Sequence, residues 1–213
     1  MNFFYSLLFG ILLQSSLYAG APAPKTNMPS PPFNFKNGKL LSIQIEWEKK
    51  DVLSLIPQEY IDDDIVKGGI AIFSSKLKQA FNPVTFSYAW VDIKTRDNKK
   101  SRYIIFGVFG PDEDLNFIMQ NTYFTKTKLG KNRITNINNK VSARVNINKK
   151  MTLSANAEIT DNCKKDFGEL LIASNLQKNN MTFYHKVEWE SSNVCIVKNI
   201  KLENIKKYVN LNI

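Results

Sequence analysis

Hydrophobic and polar residues alternate along much of the chain, and this period of two is typical of half-buried β-strands. In the segment 39–47, Leu41, Ile43, Ile45 and Trp47 are separated by single polar residues. Two later segments show the same alternation and are separated by a short polar turn, so we interpret them as a β-hairpin. The predicted strands are 39–47, 70–74, 84–94, 102–109, 140–148, 151–159, 168–174, 182–190 and 194–200.

Three short helices are predicted between these strands. The first covers 50–56 and ends at Pro57, the second starts at 110–114 with Pro111 in its first turn, and the third covers 202–209. About nine strands and three short helices give a mainly β fold of the α+β class. We expect antiparallel sheets closed around a central cavity.

The N-terminal segment has the pattern of an export signal. An apolar run at 3–13 is too short to span a bilayer and is followed by small residues, so we predict a signal peptide, 1–19, cleaved after Ala19. The segment before the apolar run has no Lys or Arg, which leaves a retained N-terminal anchor as the alternative. Residues 20–31 are a proline-rich linker, and 32–213 are one β-rich domain. The predicted location is therefore periplasmic or secreted.

Export changes what the two cysteines imply. Cys163 and Cys195 lie 32 positions apart, and in an oxidising compartment they can form a disulfide. Closing this loop stabilises a fold by about 3–4 kcal/mol in the chain-entropy model. Two buried free thiols are the alternative.

The composition excludes several kinds of site. The 213 residues contain one His and two Cys, which excludes a His-rich zinc site and a four-cysteine zinc ribbon. No glycine-rich phosphate loop or dinucleotide motif is present. We therefore predict no metal and no cofactor.

Positive charge is concentrated in one part of the chain. The net charge is +10, and the segment 94–150 has 13 Lys or Arg against four acidic residues. Such a segment is either a solvated face or a surface for an anionic small molecule or an anionic membrane. Nucleic acid is not an expected partner of an exported protein, and the oligomeric state is left open.

Several segments together resemble the acetoacetate decarboxylase family. The similarity covers roughly 32–160: an aromatic and asparagine-glycine entry at 32–39, a strand and short helix ending Leu55-Ile56-Pro57, a strand at 86–91, and a strand, acidic turn and helix at 107–117. The segment Thr125-Lys126-Thr127-Lys128-Leu129-Gly130 lies where that family has its P-K-K-x-G lysine motif.

The resemblance implies a fold, an activity and a set of site residues. Members of that family decarboxylate β-keto acids through a lysine Schiff base, which requires an uncharged amine in an apolar pocket. Lys126 and Lys128 are the corresponding amines; in a strand they would share one face, where each can lower the pKa of the other. Lys39 is the predicted carboxylate anchor, and Tyr88 and Trp90 are the predicted substrate-binding aromatics.

The chain also departs from the family's motifs. A gap-free alignment places Thr127 at the first lysine, Trp90 at the glutamate after Tyr-x, and Gln120-Asn121 at the Arg-Glu pair. The resemblance therefore supports an exported protein that binds a small oxo acid or similar anion, with decarboxylation by Lys126 or Lys128 as the enzymatic possibility, a carbon–carbon lyase. The alternative is a non-catalytic secreted barrel or sandwich whose basic face binds anionic lipid or polysaccharide.

Overall fold

The computed structural model describes residues 38–57, 60, 65–75, 84–95, 98–111, 113–121, 125–178 and 181–210. These residues belong to one compact unit, 33–213. The predicted signal peptide at 1–19 and the predicted linker at 20–31 lie outside the described residues.

Nine strands and three short helices are present in the described residues. The strands are β1 Gly38–Glu48, β2 Ile65–Ser75, β3 Thr85–Lys94, β4 Lys100–Gly110, β5 Thr127–Leu129, β6 Lys131–Ile137, β7 Lys140–Ile147, β8 Lys150–Lys178 and β9 Met181–Glu203. The helices are α1 Lys49–Val52, α2 Glu113–Asn121 and α3 Ile205–Asn210.

The strands form one sheet in the order β1-β2-β3-β4-β8-β7-β6, with β5 beside β4 and β9 beside β8. Neighbours are antiparallel except that β4 pairs in parallel with β5 and β8. The sheet curls into a half-barrel, and the mainly β fold class is confirmed. The inward-facing residues of the strands form a hydrophobic core, among them Leu41, Ile43, Ile70, Ile72, Ala89, Val91, Val108, Ala143, Val145, Leu153 and Ala155.

A buried polar junction attaches β6 to β3 and β4. The backbone N–H and the Nδ2 of Asn132 both donate to Thr85 Oγ1, at 3.1 and 3.4 Å. Thr85 Oγ1 in turn donates to the Gly110 carbonyl at 3.0 Å, and Asn132 Nδ2 also donates to the Val108 carbonyl at 3.2 Å. The junction matches backbone acceptors with side-chain donors where no regular ladder joins β6 to these strands.

The strand predictions were largely correct in position, but they divided two continuous strands. The segments predicted at 151–159 and 168–174 both lie within β8, and 182–190 and 194–200 both lie within β9. The polar residues between these segments interrupt the hydrophobic pattern, so the sequence indicated separate strands. In the structure, pairing between β8 and β9 keeps the backbone extended through them. The strands β5 and β6 were not predicted, and the helix predicted at 50–56 is one turn, α1.

The predicted disulfide is confirmed. Cys163 and Cys195 face each other in the β8–β9 ladder, with Cα atoms 4.1 Å apart, and their sulfurs are bonded. The crosslink therefore joins two strands that already pair. Of the helices in the described ranges, none has the length and apolar character needed to cross a bilayer.

Candidate ligand site

The site begins with three side chains from two neighbouring strands. Tyr88 and Trp90 alternate along β3 on the side opposite the core residues Ala89 and Val91. Arg102 of β4 pairs with Asp92, two residues beyond Trp90 in the same antiparallel ladder. Because residues two apart in a strand share a face, Tyr88, Trp90 and Asp92 all present their side chains to the same side of the sheet as Arg102.

The guanidinium group of Arg102 lies over one of these aromatic residues and acts on the other. Its Cζ lies 4.1 Å from the centre of the Trp90 ring, which is a cation–π contact, and its positive charge acts to lower the pKa of Tyr88. Trp90 Nε1 donates to Asp92 Oδ1 at 3.1 Å, and Arg102 Nε lies 3.9 Å from the same oxygen. The Arg102 side chain is 27% exposed while Trp90 is 1% exposed, so the charge is held at the surface above a buried ring.

Burial and charge act in opposite directions on Tyr88. Burial raises the pKa of its phenol, and the positive charge of Arg102 and its hydrogen bond lower it by less. The net pKa stays above the ordinary tyrosine value, so the phenol is neutral at pH 7 and retains an O–H group that can donate.

An aromatic row continues the site along the same side of the sheet. Phe86 stacks on Phe73 with ring centres 4.7 Å apart and on Phe109 at 5.8 Å, and Tyr88 lies 5.7 Å from Trp90. Offset aromatic contacts of this kind form a rigid apolar surface. The charged Arg102 therefore stands at one end of a row of aromatic rings.

The strand β5 brings a threonine, rather than a lysine, to the covered side of the chain. Thr127 pairs with Gly107, which itself pairs with Tyr88, so the three lie in one row across β3, β4 and β5. Thr127 is buried; its hydroxyl donates to Asn116 Oδ1 at 2.8 Å, and Gln120 Nε2 donates to its carbonyl at 2.7 Å. Helix α2, which carries both of these partners, thus covers β5 at this point.

Lys126 and Lys128 flank Thr127 on the opposite alternation, and both side chains are exposed. The prediction that the two lysines share one side of an extended segment agrees with this geometry. The expectation that a lysine amine is enclosed in a pocket does not agree with it, because the buried side chain of this segment is Thr127. The catalytic role of the two lysines stays a prediction.

The predicted anchor Lys39 does not lie with the aromatic residues. Lys39 is exposed at the start of β1 and pairs with Ser74, which pairs with Thr85. Thr85 lies three residues before Tyr88 in β3, and an odd separation along a strand places side chains on opposite faces of the sheet. Lys39 therefore lies on the face opposite Tyr88. The register brings together Tyr88 and Trp90 but leaves Lys39 apart.

Arg102 is the site residue that sequence reasoning missed. The sequence pattern places it in the positively charged segment and in a predicted strand, but does not indicate a role for it. One signal was available: it is the only charged residue in the otherwise apolar strand predicted at 102–109. A charge at the end of such a strand needs a partner, and the aromatic residues of the neighbouring strand supply it.

Metal binding has no support in the described residues, where no group of three His, Cys, Asp or Glu side chains comes together.

No family model matches this sequence, and no curated protein matches it. Solved structures do match. Acetoacetate decarboxylase from Legionella pneumophila subsp. pneumophila str. Philadelphia 1 aligns with a TM-score of 0.57 at 12% identity, over 79% of this chain and 71% of that one. A second acetoacetate decarboxylase structure aligns with a TM-score of 0.58 at 11% identity, over 84% and 80%.

The enduracididine biosynthesis enzyme MppR is also similar, with a TM-score of 0.51 at 7% identity over 79% of this chain and 78% of that one. These identities are low, so the likeness establishes the fold. The chain has an acetoacetate-decarboxylase-like fold, as its motifs predicted.

Proposed function

We propose that this protein binds a small oxo acid or similar anionic organic molecule. The proposal rests on the acetoacetate-decarboxylase-like fold and on Arg102 with its neighbours Tyr88 and Trp90. The observation that carries the proposal is the guanidinium of Arg102, held 4.1 Å from the centre of the Trp90 ring at the end of the aromatic row. A planar guanidinium matches a carboxylate through two parallel N–H donors. The aromatic row beside it offers an apolar surface for the rest of the ligand.

The similar structures support this ligand class. The MppR structure that aligns here is described as a complex with the condensation product of pyruvate and imidazole 4-carboxaldehyde. Pyruvate is a small oxo acid, and the other two similar structures are acetoacetate decarboxylases. An arginine near a row of aromatic rings suits the carboxylate and the short carbon chain of such molecules.

The test is a pair of charge-removing substitutions on one strand. We expect R102Q to weaken the binding of pyruvate or acetoacetate about tenfold, because it removes a charged hydrogen-bonding group worth about 1.5 kcal/mol. The control is K100Q, which also removes one positive charge. Lys100 is exposed and lies two residues before Arg102 in β4. Isothermal titration calorimetry with both variants separates a local contact from net charge. Equal affinities of R102Q and the unmodified protein would overturn the proposal.

Decarboxylation through a Schiff base is the second candidate, and the pairing of Lys126 and Lys128 on one side of the chain favours it. Their exposure counts against it, because a Schiff-base lysine is activated by an apolar pocket around the amine. Incubation with acetoacetate or pyruvate, reduction with borohydride and mass mapping distinguish the two. We expect binding without an adduct; a trapped adduct on either lysine would support the Schiff-base alternative.

Export is part of the same proposal. The predicted signal peptide and the Cys163–Cys195 disulfide both support an oxidising compartment outside the cytosol. N-terminal sequencing of the protein recovered from its producing cell tests this directly. We expect the mature chain to begin at Gly20; a chain beginning at Met1 would favour the retained anchor.

A further inference from the structure

Two arginines lie directly opposite each other on the outer face of the β6–β7 pair. Arg133 of β6 pairs in register with Arg144 of β7, and both side chains are exposed. Their chain neighbours Asn132, Ile134 and Val145 are buried on the other face. Side chains directly opposite across an antiparallel pair have Cβ atoms about 4.5–5.5 Å apart, so the two guanidinium groups can reach one ligand.

Like charges in this arrangement destabilise a sheet unless something neutralises them. The same row continues through Ser154 of β8 to Glu203 of β9, the acid nearest in register. Glu203 is already engaged: its Oε1 lies 3.3 Å from Lys201 Nζ, and its Oε2 accepts a hydrogen bond from Ser154 at 3.1 Å. The hydrogen bond from Lys201 is also the main reason that the pKa of Glu203 is lowered.

A second acid on this face, Glu158, is similarly occupied. Glu158 Oε2 accepts from Asn199 Nδ2 at 2.7 Å, and Glu158 pairs in register with both Lys140 and Lys198. Within the part of the chain that the structure describes, neither Arg133 nor Arg144 has an ion pair with an acid.

A third cation adjoins the pair. Lys131 is exposed two residues before Arg133 on the same side of β6 and faces Asn146. We call Lys131, Arg133 and Arg144 the β6–β7 cationic cluster. It lies on strands other than β3, which carries Tyr88 and Trp90, and β4, which carries Arg102, so it is separate from the proposed oxo-acid site.

We propose that the β6–β7 cationic cluster binds a phosphoryl group. Two guanidinium forks side by side present several N–H donors to one group, and a tetrahedral phosphate has enough oxygens to accept from both. A phosphate monoester carries close to two negative charges at pH 7, which matches the two opposed arginines. A carboxylate carries a single negative charge and neutralises only one of the two arginines.

The chain contains a matched control for this cluster. Lys94 of β3 and Lys100 of β4 are also exposed and directly opposite each other. The variant K94Q/K100Q therefore removes two opposed positive charges without touching a guanidinium. The variant R133K/R144K keeps the charge of the cluster and removes its forks.

The first measurement is titration of the full chain with inorganic phosphate, followed by NMR of the arginine Nε–H groups. We expect the resonances of Arg133 and Arg144 to shift with saturation. We expect R133Q/R144Q and R133K/R144K to bind phosphate at least tenfold more weakly, and K94Q/K100Q to bind as the unmodified protein does. Circular dichroism of each variant confirms that the fold is retained.

The second measurement distinguishes the source of the phosphoryl group. Vesicles of equal parts phosphatidylcholine and phosphatidic acid are sedimented with the same four proteins. Vesicle attachment that depends on the arginines assigns the cluster to a lipid headgroup, and phosphate binding without attachment assigns it to a soluble phosphate ester. Both support the proposal.

Two results would overturn it. One is that inorganic phosphate shifts neither arginine and vesicles are not bound. The other is that K94Q/K100Q loses as much binding as R133Q/R144Q, or that R133K/R144K loses none. In that case general electrostatic attraction, which salt screens, accounts for any binding.

Discussion

Removing the hydroxyl of Tyr208 tests whether a single buried hydrogen bond holds the C-terminal helix α3 to the sheet. The Tyr208 and Ser87 hydroxyls share a hydrogen bond of 2.8 Å, and both residues are fully buried. The Tyr208 ring also packs edge-on against Phe106, with ring centres 5.0 Å apart. The variant Y208F keeps that ring contact and removes only the hydroxyl.

The expected cost follows from the burial. A buried polar group left without a partner costs about 1–3 kcal/mol, so Y208F and S87A should each lower the free energy of unfolding by that amount. The double variant removes both hydroxyls and leaves neither unsatisfied. Its cost should therefore fall short of the sum of the single costs by at least about 1 kcal/mol.

The assay is urea unfolding of the four proteins, with the denaturant slope compared to confirm that it is unchanged. In thermal unfolding, each kcal/mol corresponds to about 2–4 °C for a domain of this size. Strict additivity of the two single variants would show that the hydroxyls do not interact in solution, and the account of how α3 is attached would fail.

Two further predictions concern alkaline pH and the crosslink. Burial raises the pKa of the Tyr208 phenol well above its usual value. The phenol of the unfolded chain ionises near pH 10, so stability from this group is complete below about pH 10 and is lost as the pH rises further, by up to about 1.4 kcal/mol per pH unit. The unmodified protein should therefore lose stability more steeply than Y208F in alkaline urea titrations, and parallel curves would contradict this. Replacing Cys163 and Cys195 together by alanine should cost about 3–4 kcal/mol, because the unfolded chain regains the freedom of a 32-residue separation. The unmodified protein treated with a reducing agent should show the same lowered urea midpoint; an unchanged midpoint in both would mean that the paired strands alone hold this loop.

Local pattern was enough to predict the class of fold. Alternation at 39–47, 140–148 and 151–159 depends only on neighbouring residues, and the structure has strands in all three places. The period of two also indicated that Lys126 and Lys128 would share one side of an extended segment, and both are exposed. Two cysteines in a chain with a predicted export signal were likewise enough to predict their bond.

Burial and pairing between distant strands depended on the tertiary structure. The exposure of Lys126 and Lys128 follows from how β5 is covered by α2, and no residue near them in sequence signals that covering. The contact of Arg102 with Trp90 and the opposition of Arg133 and Arg144 require the register of antiparallel strands. Register is set by the packing of whole faces against a common core, so it is a property of the assembled sheet and not of any one segment.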